Sequence, residues 1–158
     1  PVTPLAEHPK MEQRNRQFSP LLLPVTVGST IDFPNYDDEY HNVFSRSLTR
    51  ELELGRYGKA ESKSVTFDKS GVVRLRCEVH SAMHAVIVVL DTPWWTVTDE
   101  AGAFTLQGGP AGKYRIYAFQ EDAKPQDKGA DPLRAFGREI EVGADGTVRA
   151  DFDLRAAE

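Results

Sequence analysis

Residues 75–90 read LRCEVHSAMHAVIVVL, and this stretch decides the fold and the chemistry together. The eight positions 77–84 hold the chain's only cysteine, two of its four histidines and one of its two methionines. The apolar, β-branched run AVIVVL follows at once, and a run of that length bounded by turn residues predicts a buried strand. Upstream, GVVRLR alternates at period two and predicts a strand over 71–76. The Cys–His–Met segment thus becomes a tight loop between two strands.

The texture outside this stretch is the same. Candidate strands are Gln13–Phe18, Leu22–Val27, Thr30–Pro34, Val43–Ser47, Ser64–Phe67, Gly71–Arg76 and Ala85–Leu90, cut by turns such as VGS and DKSG. No long helix is predicted, so the expected class is all-β, with the first strands forming a β-sandwich. After Leu90 a second series begins. DTPWWTVTDEAGAFTLQGGPAGKYRIYAF places an Asp-Glu-Ala-Gly turn between two strands and then a third strand of aromatic and β-branched residues. Gln120 to Pro132 reads as a long exposed loop, and GREIEVGADGTVRADFDL as a hairpin turning at Ala144–Gly146. Trp94 and Trp95 are expected to pack as a seam between the two halves.

The 158 residues suffice for one ordinary domain or two small ones, and 40% hydrophobic with 27% charged residues is the composition of a soluble protein. A formal net charge of -5 without any Lys/Arg-rich run weighs against nucleic acid or an anionic membrane as partner. No apolar run approaches the roughly 20 residues that span a bilayer. Residues 1–10 show neither a basic nor an apolar leader region, so any signal peptide is expected to have been removed already. One cysteine excludes an internal disulfide, and in an exported protein a metal bond would account for the free thiol.

The spacing Cys77-x-x-His80-x-x-Met83 can aim a thiolate, an imidazole and a thioether at one point. Those donors belong to a type 1 copper site, which requires a second imidazole. His41, in DDEYHNVFS just before a strand, is the candidate. His84 competes with Met83 for the axial position, but neighbouring side chains on a strand point to opposite faces, which favours Met83. Zinc accepts cysteine and histidine but not a thioether. A Cys/His nucleophile pair would need an oxyanion hole or a helix N-terminus, and the sequence supplies neither.

These segments resemble the cupredoxin family, the plastocyanin and amicyanin-like type 1 copper domains. HNVF is similar to the motif of the first copper histidine, CEVHSAMHAVIVV to the ligand loop of the short-loop members, and FSPLLLPVTVGSTIDFPNYD to the domain's opening. The resemblance implies a Greek-key sandwich over residues 11–90, with His41, Cys77 and His80 as the strong copper ligands and Met83 as the axial one. It implies that Asn42 ties the two ligand segments together and aims its backbone N–H at the thiolate. His80 would be the partly exposed ligand through which electrons pass. The acidic run Asp37, Asp38, Glu39 is then either a solvated turn or a steering surface for a basic redox partner, such as a c-type cytochrome; a dehydrogenase is the other partner considered.

Residues 97–119 resemble the transthyretin-like or carboxypeptidase-regulatory-like sandwich, on Asp99, Gly102, Phe104, Gly112 and Tyr114. The expected organisation is an N-terminal tail over 1–10, a cupredoxin-like domain over 11–90 and this small sandwich over 91–158. The whole resembles periplasmic cupredoxin-like proteins of the methylamine-utilisation type. The implied function is a periplasmic one-electron carrier cycling one Cu(II)/Cu(I) ion, and not an enzyme. A copper carrier or tolerance protein without redox turnover, and a docking protein acting through the C-terminal module, are the alternatives.

Overall fold

The computed structural model describes residues 2–107, 109–123, 131–144 and 146–154. Among them there is no helix, and the strands fall into two units, one through Pro93 and one from Trp94.

In the first unit, β1 (Glu12–Arg14) and β2 (Gln17–Ser19) form a hairpin, followed by β3 (Leu22–Thr26), β4 (Thr30–Pro34) and β5 (His41–Arg46). β6 (Glu51–Tyr57), β7 (Ser62–Thr66), β8 (Gly71–Arg76) and β9 (His84–Leu90) complete it. The main sheet has the order β3-β9-β8-β5-β6, and β4 pairs with β7 in a second layer. β9 is flanked on both sides, which is why its sequence is apolar without alternation: Ala85 through Val89 are all buried. β8 alternates instead, with Val73 and Leu75 inward and Arg74 and Arg76 outward. Val25, Ile31, Phe33, Val43, Leu52, Val65, Leu75 and Ile87 meet in one core between the layers. The all-β sandwich expected from the period-two pattern is what forms.

Two departures from the expected strands bear on the site. The segment Gln13–Phe18 is not one strand, because Asn15 and Arg16 adopt φ of 55° and 57° and turn the chain back on itself. Two successive left-handed residues are the mark of a type I′ hairpin, which normally selects glycine at the second position. Here the Asp37 carboxylate accepts the N–H groups of Asn15 and Arg16 at 2.7 and 2.9 Å and holds the turn. The second departure is β6, which was not expected. Gly55, at φ 66°, lies where the β5–β6 register slips between Asn42 and Phe44, so the inward positions run Leu52, Leu54 and then Tyr57. A bulge re-phases the strand and hides its alternation.

The residues expected to form an N-terminal tail lie along the sheet. The Leu5 N–H donates to Ser29 Oγ at 2.8 Å, the Thr26 hydroxyl donates to the Thr3 carbonyl at 2.8 Å, and Lys10 bridges to Asp32.

In the second unit β10 (Gly112–Ala118) pairs antiparallel with β11 (Phe136–Val142). Asp99 closes a turn by accepting the N–H groups of Ala101 and Ala103, with Gly102 at φ 79°, as the sequence predicted. Among the described residues, the strands expected on either side of that turn do not form, and neither does one over 147–154. The Gly143–Gly146 turn is present, but β11 pairs with β10 rather than with the residues beyond it. Val97, Leu106 and Val148 stay exposed, and without a buried face nothing fixes a strand register. Trp94 stands edge-on to Tyr114 at 5.7 Å within this unit. Of the expected 120–132 loop, residues 124–130 lie outside the described residues.

Candidate metal centre

Strand ends bring the site together. His41 is the first residue of β5, Cys77 follows the last residue of β8, and Met83 precedes the first residue of β9. The sheet places β8 between β5 and β9, so all three meet at one end of the sandwich. His80 lies in the loop between, which is closed by the Met83 N–H donating to the His80 carbonyl at 3.0 Å. One ligand atom from each of His41, Cys77 and His80 lies within 4.8 Å of the other two. Two segments more than thirty residues apart in sequence thus meet at one point.

Burial grades the donors. His41 and Met83 are 0% exposed and Cys77 4%, whereas the His80 side chain keeps 19%. The two neighbouring side chains part company: Met83 is buried in the core, and His84 is exposed with Nδ1 at 3.0 Å from the Ala82 carbonyl. Asn42, itself buried, accepts the Glu78 N–H on its side-chain oxygen at 2.8 Å and so joins β5 to the ligand loop. Its amide donates to Glu53 Oε1 at 3.3 Å.

Sequence reasoning missed what stands behind the imidazoles. Asp37 Oδ2 lies 2.9 Å from His41 Nε2, and Glu39 Oε2 lies 2.8 Å from His80 Nε2. Both carboxylates come from the acidic run between β4 and β5, while Asp38 pairs outward with Lys59 at 2.6 Å. Asn35, fully buried, fixes this turn: its side-chain oxygen accepts the Asp37 N–H at 2.9 Å, and its amide donates to the Glu39 and Tyr57 carbonyls at 2.9 and 3.1 Å. The four-residue separation of Asp37 and His41 was the available signal, but outside a helix such spacing has no fixed meaning.

Electrostatics follows this arrangement. Burial pushes the Asp37 carboxyl up, yet the Arg16 N–H, the His41 ring and the Asn15 N–H together outweigh it and hold the group below the usual carboxylate range. Glu39 is held low first by its hydrogen bond from Arg16, then by the Arg16 charge and by His80. Burial drives the Tyr57 phenol well above its ordinary value, against the hydrogen bond it accepts from Gln13 at 2.6 Å.

Each Nε2 faces a carboxylate oxygen, which can only accept, so Nε2 is the donor in both rings and each neutral ring would present an Nδ1 lone pair toward one point. The two Nδ1 atoms are 3.1 Å apart, and the rings cross at 64°. Two nitrogens bound at about 2.0 Å to one ion, with an angle of about 100° between them, are separated by about that distance. The same separation suits either an N–H···N hydrogen bond between the rings, when one Nδ1 carries a proton, or a shared metal ion, when neither does. Two imidazoles and a cysteine sulfur, with Met83 buried in the same core cluster at this end of the sandwich, match the donor set of a trigonal copper site with a weak axial ligand.

No protein-family model matches the chain, and no curated protein does. Solved structures do. A copper-containing nitrite reductase from Thermus scotoductus SA-01 aligns at TM-score 0.52 and 22% identity, over 57% of this chain and only 26% of the reductase. A reduced mutant of amicyanin aligns at 0.50 and 22%, over 56% of this chain and 92% of amicyanin. The Cu(I) form of another amicyanin mutant gives 0.50 and 23%, over 54% and 86%. At such identities the likeness speaks for architecture alone. Rather more than half of this chain has the cupredoxin fold.

Proposed function

We propose that this chain is a type 1 copper protein that carries one electron at a time. The observation that carries the reading is the convergence of the His41, Cys77 and His80 ligand atoms within 4.8 Å at the end of a cupredoxin-type sandwich. His41, Cys77 and His80 would hold the ion, with Met83 as a fourth, weaker donor. Bound copper would supply a Cu(II)/Cu(I) couple; the nitrite reductase is copper-containing by name and one of the two amicyanin mutants is a Cu(I) form.

The chain's own residues suit transfer rather than turnover. Four protein donors would leave a bound ion no position open to substrate. His41 and Met83 keep water from the interior side, and the Asn42–Glu78 bond holds the ligand loop to β5. A rigid ligand set lowers the reorganisation that accompanies an electron's arrival. His80 is the way in and out, being the one proposed ligand with an exposed edge, and Val79 beside it, 41% exposed, offers apolar contact to a redox partner. That partner is a second redox protein, such as a c-type cytochrome or a dehydrogenase. Export to the periplasm fits a lone thiol kept by metal in an oxidising compartment. The second unit is read as a small transthyretin-like module, on the Asp99 turn and the β10–β11 hairpin, with a supporting rather than catalytic role.

The test is to add Cu(II) to the full chain and to Cys77→Ala, and to compare optical and electron paramagnetic resonance spectra. One equivalent of copper should give the wild type an intense visible thiolate-to-Cu(II) band that the variant lacks. A copper-loaded wild type without such a band would end the reading.

A further inference from the structure

The two carboxylates behind the imidazoles are not equivalent. Asp37 is built into the fold: it takes the backbone N–H groups of Asn15 and Arg16 as well as the His41 ring. Glu39 has no such structural task. Its side chain is 41% exposed, and its carboxylate is shared between His80 Nε2 on one side and the Arg16 guanidinium on the other. Arg16 Nε lies 2.9 Å from Glu39 Oε1, and Arg16 Nη2 contacts the same oxygen. The Arg16 backbone is in turn held by Asp37, so one small turn aligns the outer face of the exposed ligand.

We infer that Glu39, held by Arg16, is a positioning residue for His80 that sets the balance between the two oxidation states of the copper. The inference rests on the type 1 copper reading. A carboxylate that accepts the outer ring N–H makes the imidazole a stronger donor at its inner nitrogen. The stronger donor favours the more highly charged ion, so Glu39 stabilises Cu(II) over Cu(I) and lowers the potential. The same bond fixes the ring's tautomer and tilt, which leaves His80 facing the metal rather than free to swing toward solvent. Glutamine at this place keeps the shape and an acceptor oxygen but loses the charge.

The test compares the copper-loaded wild type with Glu39→Gln and with Glu51→Gln. Glu51 is an exposed carboxylate paired with Arg46 at the opposite end of β5, and serves as the control for a general loss of charge. Spectroelectrochemistry should show Glu39→Gln shifted about tenfold in relative affinity toward Cu(I), a rise of about 59 mV for one electron. The visible band should remain, and Glu51→Gln should titrate with the wild type. Equal potentials for Glu39→Gln and wild type overturn the inference while leaving the copper reading intact. Equal shifts in both variants overturn it as well, because the effect is then one of net charge. A wild type that takes up copper without colour overturns the copper reading and this inference together.

Discussion

The side-chain oxygen of Asn42 accepts the backbone N–H of Glu78 at 2.8 Å, across 36 positions of sequence, and joins the segments from which every proposed ligand comes. Removing the acceptor leaves a partly buried N–H without that partner, which costs about 1–3 kcal/mol. Asn42→Ala is expected to lose that much stability in the metal-free protein. It should also bind copper some tenfold to a hundredfold more weakly, the usual range for a lost outer hydrogen bond. Chemical denaturation and a competitive copper titration check the two parts. A variant unchanged in both would mean that the loops hold together without this bond.

Met83 and His84 can be separated by a pair of conservative changes. Met83 lies in the core, so Met83→Ala would open a cavity; Met83→Leu keeps the volume and should cost less than about 1.5 kcal/mol. As the axial donor Met83 should nonetheless alter the copper spectrum when changed to leucine. His84 is exposed and lies against a backbone carbonyl, so His84→Ala should leave spectrum and stability alone, within about 0.5 kcal/mol. Spectra that respond to His84→Ala and not to Met83→Leu would reverse the assignment.

The strand pattern made the first unit legible wherever one face is buried and the period stays at two, as in β8, or where both faces are buried, as in β9. It failed at β6, because the bulge at Gly55 breaks the alternation midway, and at the β1–β2 turn, because Asn-Arg is not the residue pair that turn chemistry favours. The ligand loop could be read because its donors sit three residues apart in one tight connection. Asp37, Glu39 and Arg16 could not, since their partners are set by tertiary folding: the Arg16 turn and the acidic run are more than twenty residues apart. An acidic run beside a histidine reads as a solvated surface until the fold shows two of its three carboxylates turned onto rings. In the second unit the Asp99 turn was legible from local chemistry, whereas the strands around it lacked a buried face to enforce them.

Gly28 ends the turn after β3 at φ 88°, and a Cβ built there would sit 2.8 Å from Cγ of Pro4. Left-handed backbone costs an L-residue about 1–2 kcal/mol before any contact is counted. Gly28→Ala should therefore lower stability by about 2 kcal/mol and push residues 3–5 off the sheet, weakening the Leu5–Ser29 and Thr26–Thr3 bonds. Urea denaturation measures the first effect, and hydrogen exchange at the Leu5 amide the second. A variant as stable and as protected as the wild type would show that this turn tolerates a side chain.

Asp32 gives the acid limb of the stability curve a definite sign. Its carboxylate accepts the Ser64 hydroxyl at 2.6 Å and faces His8 Nδ1 at 3.1 Å. The Ser64 bond, aided by His8 and Lys10 against the penalty of burial, holds the group below its ordinary value of 3.8. Near that value the unfolded chain therefore binds more protons than the folded one, so stability rises with pH through this window. The contribution is fully present above the ordinary value and is lost as the pH falls through the lower, folded one. Asp32→Asn keeps the shape and cannot ionise. The stability difference between wild type and variant should be flat above about pH 5 and shrink steadily below about pH 4. Denaturation curves taken down to about pH 2 decide it: a difference that holds constant, or widens, on the acid side would mean that the carboxylate does not favour the folded state.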